Sequence, residues 1–239
     1  TRMSIASLLR KTLVGAQEYV RKLETAGKKN DETQAVPATP PPDLGMEAMA
    51  LLLRKELPAR IEANLADDIR TAIRIADEFG ISIVIDGGEG AYKVKDLLAQ
   101  KNIPVVLSPI SHQFSSGQPV DYTPEMYVLR DERTPAMLTK AGVKIALASF
   151  GYGLGYAGSA YHGRWLLLEA AFAAGFGLSE EQALKAVTIN PAEILGVSDR
   201  IGSIAPGKDA DIIILNGPPL DVKSWVEKVF IAGELVYKK

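Results

Sequence analysis

The sequence contains no cysteine, only two histidines and few aromatic residues. The absence of cysteine excludes disulfide bonds, thiolate zinc sites and a cysteine nucleophile. Because His112 and His162 are the only imidazoles, acid–base or metal chemistry built from this chain must depend mainly on carboxylates. No apolar run approaches the roughly 20 residues that span a bilayer. The net charge of -2 gives no reason to expect nucleic acid or an anionic membrane as a partner.

A long amphipathic helix and a polar connecting segment are predicted at the start of the chain. Apolar residues recur at helical spacing from Leu9 to Leu23 and predict a helix over residues 3–25. The next stretch, GKKNDETQAVPATPPPDLG, is polar and then proline-rich, which is typical of a long surface loop. We therefore assign residues 1–35 to the helix and the start of a linker, and residues 36–45 to a proline-rich loop.

The middle of the chain alternates short β-branched runs with helical segments. The strand candidates are ARIEA, ISIVID, IPVVLSP and VKIALAS. The second of these is continuously apolar before its aspartate, which is typical of a strand buried on both faces. Repeated strand–helix units of this length predict parallel strands joined by right-handed crossovers. This pattern fits either an open doubly wound sheet or part of a barrel.

Helix-start signals and a change to β structure mark the C-terminal part of the chain. Ser179 and Asn190 are each followed three residues later by a glutamine or a glutamate, so each predicts a capping box. Beyond them, ADIIIL predicts a strand, and VEKVFIAGELVYKK predicts a hairpin that turns at Gly233 and Glu234. A β module is therefore appended to the α/β unit.

Three C-terminal segments carry a family resemblance: TINPAEILG, IGSIAPGKDADIIIL and VFIAGELVY. They resemble the amidohydrolase superfamily, in particular its imidazolonepropionase-like and prolidase-like branch. The resemblance implies an α/β fold: the second half of a TIM-type (β/α)8 barrel over residues 46–198, then the C-terminal strands of a small β-sandwich over residues 199–239. Four strands cannot close such a barrel. We therefore expect a complementary N-terminal half or a partner chain to complete it, and an oligomeric protein.

The same resemblance assigns metal ligands to positions where this chain carries other residues. Family members hold divalent metals with histidines on the first, fifth and sixth strands, a mid-barrel lysine or glutamate, and an aspartate on the eighth. The fifth-strand positions are Glu62 and Asn64 here, the sixth-strand position is Gly87, and the aspartate position is Phe150. No catalytic residue is retained at these positions. We expect no cofactor from this chain, and zinc or another divalent metal only if the missing half supplies ligands.

Each substituted position also has an interpretation without a metal. Asn64 lies at a helix start, where its side chain favours an N-cap. Glu62 is a candidate cation ligand, but a carboxylate at a strand end is more often satisfied by a neighbouring group. Gly87 and the glycine after it favour a tight turn out of the strand. The flanking Asp86 and Glu89 add two carboxylates that are candidates for catalysis.

Three residues are candidates for substrate binding: His112, His162 and Arg164. His112 follows a predicted strand and would face the mouth of a barrel. His162 and Arg164 follow the glycine-rich stretch FGYGLGYAG, at a place where the resemblance implies substrate contacts. Each is also compatible with an ordinary loop position. The glycine-rich stretch lacks the Lys-Ser/Thr pair of a phosphate-binding loop, so we do not expect a nucleotide there.

These observations favour a degenerate amidohydrolase-fold protein that has lost its metal site and acts as a non-catalytic binding or assembly subunit. The alternative is an active metal-dependent hydrolase of amide, cyclic amide or dipeptide C–N bonds whose metal site comes mainly from the absent N-terminal half. A split enzyme of two chains is a third hypothesis and predicts a stable hetero-oligomer. The lack of cysteine and the proline-rich loop slightly favour a periplasmic or extracellular protein.

Overall fold

The computed structural model describes residues 2–26, 41–109, 131–149 and 165–239. The chain divides into two compact units. The first comprises Thr1–Ile61 and Asp67–Val84, and the second comprises Glu62–Ala66 and Ile85–Lys239. In the described residues no helix is both long and apolar enough to cross a membrane.

The first unit is mainly helical. Its elements are α1 (Arg2–Ala26), α2 (Leu44–Leu53), the start of β1 (Ala59–Ala63) and nearly all of α3 (Ala66–Phe79). The predicted N-terminal helix is confirmed as α1 and the predicted amphipathic helix before Gly80 as α3. The α2 helix begins after Asp43, whose carboxylate accepts a hydrogen bond from the Met46 amide at 3.0 Å.

The second unit contains a parallel sheet with helices between its strands. The strands β1, β2 (Ile83–Gly87), β3 (Val105–Leu107) and β4 (Ile145–Leu147) follow one another across the sheet in chain order. Of β1 and β2, the second unit contains the last residues, from Glu62 and from Ile85 onwards. The pairs β2–β3 and β3–β4 are parallel. The helical elements are a 3₁₀ turn (Ala91–Val94), α4 (Lys95–Gln100), α5 (Thr134–Lys140), α6 (Leu166–Gly175), α7 (Glu180–Lys185) and α8 (Ile189–Ile194). The predicted α/β fold with a parallel sheet is therefore confirmed.

The core of this sheet is a row of aliphatic side chains that lie in register. Ile85 pairs with Val105, and Val105 pairs with Ile145. All three side chains are at most 2% exposed. This burial explains why the central strands are continuously apolar rather than alternating, as is expected for a parallel sheet covered on both faces.

The segment from α7 to α8 covers the free edge of β4. The Leu147 amide donates to the Ala186 carbonyl at 2.8 Å, and the Asn190 side-chain amide donates to the Ile145 carbonyl at 2.9 Å. The capping box predicted at Asn190 is therefore wrong, because its side chain bonds to the strand and Thr188 precedes the helix. The cap predicted at Ser179 is confirmed by the bond that its hydroxyl accepts from the Gln182 amide at 3.3 Å.

The C-terminal residues form an antiparallel sheet of β5 (Ile212–Leu215), β6 (Val226–Ile231) and β7 (Glu234–Lys238), in that order. The β6–β7 hairpin turns at Ala232 and Gly233, which have φ values of 49° and 83°. Two consecutive positive φ values fit the tight hairpin turn that matches the twist of the strands. The turn predicted at Gly233 and Glu234 is therefore wrong by one residue, because Glu234 already pairs with Ile231.

We expect Asn190→Ala to lower the free energy of unfolding by about 1–2 kcal/mol, because it leaves the Ile145 carbonyl without its side-chain donor. Urea unfolding followed by tryptophan fluorescence measures this loss in the second unit, which contains Trp165 and Trp225. Asn190→Asp is the discriminating variant. Aspartate is as good an N-cap as asparagine but cannot donate, so it should destabilise at least as much as alanine. A stable Asn190→Asp variant would restore the capping interpretation.

Candidate functional site

The structure brings the ends of β1 and β2 together in the second unit. The Gly88 amide donates to the Ala63 carbonyl at 3.1 Å, and the Gly90 amide donates to the Asn64 carbonyl at 2.7 Å. Asn64 and Gly87, two of the positions that the sequence places at strand ends, are therefore neighbours. Catalytic groups of barrel enzymes lie at the carboxyl ends of parallel strands, so catalytic groups are expected at this edge of the sheet.

Glu62 is exposed near the end of β1, whereas the adjacent Ala63 is buried. Successive side chains of a strand point to opposite faces. The Glu62 side chain therefore lies on the face opposite to Ala63, where it is exposed to solvent. Within residues 2–26, 41–109, 131–149 and 165–239, no group of three or more His, Cys, Asp or Glu side chains could hold a metal ion. The described residues therefore provide Glu62 with no ligand cluster to join.

Asn64 directs its side chain towards Gly87. The Asn64 Oδ1 atom is buried and accepts no hydrogen bond from the part of the chain that the structure describes. An N-cap side chain would accept from one of the first amides of α3. The predicted N-cap at Asn64 is therefore wrong, because the end of β2 rather than the helix receives the side chain.

Gly87 has a left-handed backbone, with φ at +86°, and the next residue continues the turn with φ at +63°. The predicted tight turn out of the strand is confirmed. A methyl group added to Gly87 would overlap the Asn64 Oδ1 atom. Glycine is therefore required here for two separate reasons, its backbone conformation and the space that Asn64 occupies.

A small cleft of about 30 Å³ lies at the end of β3 in the second unit, which is the volume of about one water molecule in the liquid. Its lining includes the polar residues Glu89, Ser108, Asp131, Glu132 and Thr134. The cleft is thus bordered by three carboxylates and two hydroxyl groups. Of these residues the sequence singles out only Glu89, as a candidate for catalysis, although Ser108 lies in the predicted strand IPVVLSP.

Arg133 fixes the carboxylate of Asp131 at this cleft. The guanidinium donates through Nε to Oδ1 at 2.8 Å and through Nη2 to Oδ2 at 2.7 Å, which is the two-point geometry typical of an Arg–carboxylate pair. This hydrogen bonding lowers the pKa of Asp131 below its usual range. Asp131 is therefore an ionised, oriented acceptor at neutral pH and a poor proton donor.

Glu169 is a buried carboxylate that the sequence analysis missed. It lies in α6 and is only 1% exposed, and the Ser108 hydroxyl donates to its Oε1 atom at 3.5 Å. The signal in the sequence is a lone acidic residue in the apolar run LLLEAAFAAG. Because a buried carboxylate must be hydrogen-bonded, Glu169 connects α6 to the end of β3.

Four of the residues considered in the sequence lie outside the described residues: His112, Phe150, His162 and Arg164. Their assignments as substrate-binding candidates, or as a replaced ligand in the case of Phe150, remain predictions. The same applies to Glu62 as a cation ligand. Of the compared ligand positions, the structure therefore describes Glu62, Asn64 and Gly87.

Comparison with known proteins identifies the family of this chain. Residues 122–236 match the amidohydrolase family. The fold is similar to a crystal structure of an amidohydrolase from Thermotoga maritima MSB8, with a TM-score of 0.82 and 41% identity over 100% of this chain and 57% of that one. Residues 122–236 are thus an amidohydrolase-family domain, and this part of the chain belongs to the amidohydrolase superfamily. This membership confirms the resemblance that the C-terminal segments carry.

Two further relatives extend the comparison. An imidazolonepropionase of Porphyromonas gingivalis is 28% identical over 221 residues, which cover 80% of this chain and 51% of that protein. A prolidase solved in complex with N-methylphosphonate-L-proline has the same fold, with a TM-score of 0.61, 22% identity, and coverage of 82% of this chain and 48% of that one. This amidohydrolase-superfamily chain thus spans about half the length of the relatives that it matches.

We expect Gly87→Ala to be more destabilising than Gly142→Ala. Both glycines have φ at +86°, but a methyl group at Gly142 meets no atom within 4 Å, whereas at Gly87 it overlaps Asn64. The left-handed backbone alone costs on the order of 1 kcal/mol for alanine, and overpacking adds about 1–3 kcal/mol. Urea unfolding of both variants measures the difference. Equal losses would show that Asn64 moves aside at no cost.

We expect the Asp131–Arg133 pair to stabilise the protein at neutral pH and to lose this effect in acid. The pKa of Asp131 is lowered in the folded state, so its contribution is present above the unfolded-state pKa of about 3.9 and is lost as the pH falls through the folded-state pKa. The free energy of unfolding of Asp131→Asn should therefore converge on that of the unmodified protein below about pH 4. Arg133→Gln is the matched control, and a gap independent of pH would contradict the assignment.

Proposed function

We propose that this protein is an amidohydrolase-superfamily member in which the described part of the chain does not hold a metal, and that it serves as a non-catalytic binding or assembly subunit. The observation that carries the proposal is the chemistry at the ends of β1 and β2. An exposed carboxylate (Glu62), a neutral amide (Asn64) and a residue without a side chain (Gly87) occupy the three positions that the family resemblance gives to histidines.

The residues present do not fit a divalent metal. A site for zinc needs three or four converging nitrogen, sulfur or oxygen ligands. Asn64 offers one amide oxygen, Gly87 offers none, and Glu62 is on the exposed face of its strand. Without a bound metal, this half of the site has no group that lowers the pKa of water or polarises a carbonyl.

We further propose that the parallel sheet is the second half of a (β/α)8 barrel and that β5–β7 belong to a small β-sandwich. The similarity to the Thermotoga chain, which this chain covers by 57%, supports this architecture. The exposed side chains of the C-terminal sheet support it as well. The large apolar residues exposed there are Ile213, Ile214, Ile231, Leu235, Val236 and Tyr237.

We propose that a complementary N-terminal half or a partner chain covers these exposed apolar side chains. β7 is the edge strand of its sheet in the described residues, and all five of its residues are exposed. An exposed apolar edge strand pairs readily with another strand. The resulting assembly would be an oligomer or a hetero-oligomer, as the sequence predicts.

An active hydrolase of C–N bonds is the second candidate function. The 28% identity to an imidazolonepropionase over 80% of this chain favours it. In that case the absent half would supply most ligands, Glu62 would assist, and the cleft bordered by Ser108 and Asp131 would contact the substrate. Because one fold supports many chemistries, the family alone does not decide between the two functions.

Metal content tests the two functions directly. We expect less than about 0.1 zinc per chain by inductively coupled plasma mass spectrometry on the purified protein, with every co-purifying chain retained, because the residues at the ends of β1 and β2 do not supply the three or four converging ligands that zinc needs. The measurement is repeated after incubation with zinc and dialysis. Near-stoichiometric zinc would favour the hydrolase.

Two variants then separate a specific site from surface binding. Glu62→Ala should abolish zinc binding if Glu62 is a ligand, whereas Glu56→Ala removes an exposed carboxylate of the first unit and serves as the control. Zinc that survives Glu62→Ala would have to be held by other ligands, either in a complementary half or in the residues outside the described ranges. Equal loss in both variants would indicate non-specific binding.

A further inference from the structure

We infer that Asn64 and the Gly87–Gly90 loop form a plug that excludes a metal-binding side chain from position 87, so that a substitution at this position alone cannot restore the site. The inference deepens the proposed function and rests on it, because it takes position 87 as a former ligand position. It adds a physical relation between the two positions: the Asn64 side chain occupies the space that a side chain at position 87 would need.

The first step is the steric relation between the two residues. A Cβ atom at Gly87 would overlap Asn64 Oδ1 and lie 3.1 Å from Asn64 Cγ. The approach therefore involves the amide group as a whole and not only its terminal atom. Asparagine has one short side chain with two dihedrals, so it has few ways to move aside while Gly87 remains at its place.

The second step is the backbone around this pair, which leaves the amide little freedom. The loop is bonded to β1 through Gly88 N to Ala63 O and through Gly90 N to Asn64 O. At Gly90 an added Cβ atom would lie 2.9 Å from the Asn64 carbonyl oxygen and 3.1 Å from the Ala66 amide nitrogen. The loop backbone thus packs directly on the backbone of residues 64–66, at a distance that only glycine permits.

The third step is the energetic state of the Asn64 side chain. Its Oδ1 atom is buried and accepts no hydrogen bond from the described residues. A buried acceptor without a donor is unfavourable, so hydrogen bonding does not explain its position. The amide instead lies in close contact with Gly87, where tight packing contributes dispersion attraction.

The plug also accounts for the composition of the sequence DGGEG. Gly87 makes room for the Asn64 amide, and Gly90 allows the loop to approach β1. A loop that carried a histidine at position 87 would need both a different backbone conformation at that residue and a smaller or displaced neighbour at position 64. The two positions are therefore coupled, and the coupling is measurable.

A double-mutant cycle tests the coupling in the full chain with its co-purifying partners. Asn64→Ala, Gly87→Ala and the double variant are compared by urea unfolding, with Gly142→Ala as the control for backbone conformation. We expect Gly87→Ala to lower the folding equilibrium constant about tenfold more than Gly142→Ala. In the Asn64→Ala background, this excess should fall below about threefold. An excess that stays above about threefold overturns the plug.

If Gly87→Ala does not fold, the double variant decides the question. Recovery of folded protein in Asn64→Ala/Gly87→Ala supports the plug, and failure to recover it overturns the plug. A metal readout completes the test: Gly87→His should gain no zinc over the unmodified protein, and a stoichiometric gain with Asn64 in place overturns the inference.

The failures of the two proposals are distinguishable. Stoichiometric zinc in the unmodified protein would contradict the proposed function, whatever the cycle shows. Absence of coupling between positions 64 and 87 would overturn the plug and leave a metal-free function intact. The cycle uses stability as its readout and therefore does not depend on knowledge of a substrate.

Discussion

The row formed by Ile85, Val105 and Ile145 fixes where the strands of the parallel sheet end. These residues pair across β2, β3 and β4, and each is at most 2% exposed. A shift of one residue would break these pairings and exchange the faces to which the side chains point. The observed pairing therefore sets the positions of the residues that follow each strand. The candidate site exists only because the strands end together.

In the described chain, the backbone groups of the two outer strands, β1 and β4, find hydrogen-bond partners in different ways. At β4, the Ala186 carbonyl and the Asn190 side chain satisfy the backbone groups that no further strand pairs with. At the end of β1, the loop after Gly87 provides the bonds through its own amides. Both solutions cover backbone groups that would otherwise be left without partners. In the second case the covering loop occupies the place where the family resemblance expects a ligand.

The similarity to amidohydrolases and the residues found at these strand ends are compatible, because fold and chemistry depend on different residues. The buried aliphatic row maintains the parallel α/β architecture, and the 41% identity to the Thermotoga amidohydrolase accompanies this shared framework. The compared positions Glu62, Asn64 and Gly87 lie at strand ends outside this row, so their side chains can differ while the strand pairing stays the same. A small cleft with Asp131, Ser108 and the buried Glu169 remains at the neighbouring strand end. Polar groups thus persist at the edge where this fold supports function.

The features that could be predicted from the sequence are those that depend on residues close together in the chain. The helical spacing from Leu9 to Leu23, the apolar strands and the cap at Ser179 depend on residues near one another in the chain, and each is confirmed. The family was also readable, since its C-terminal segments are contiguous. Asn190 and Asn64 both lie near helix starts, but neither side chain caps its helix: that of Asn190 bonds to the Ile145 carbonyl, and that of Asn64 packs against Gly87.

The amino-acid sequence by itself determined the main secondary-structure elements, the parallel α/β class, the family resemblance and the residue types at the compared positions. Only the tertiary structure decided where the Asn64 and Asn190 side chains go, that Glu169 reaches Ser108, and that Gly87 is constrained by a neighbour 23 positions earlier. The physical reason is that hydrogen bonds and excluded volume act between atoms in space. The distant groups that can contact a given side chain are known only when the pairing of the strands is known.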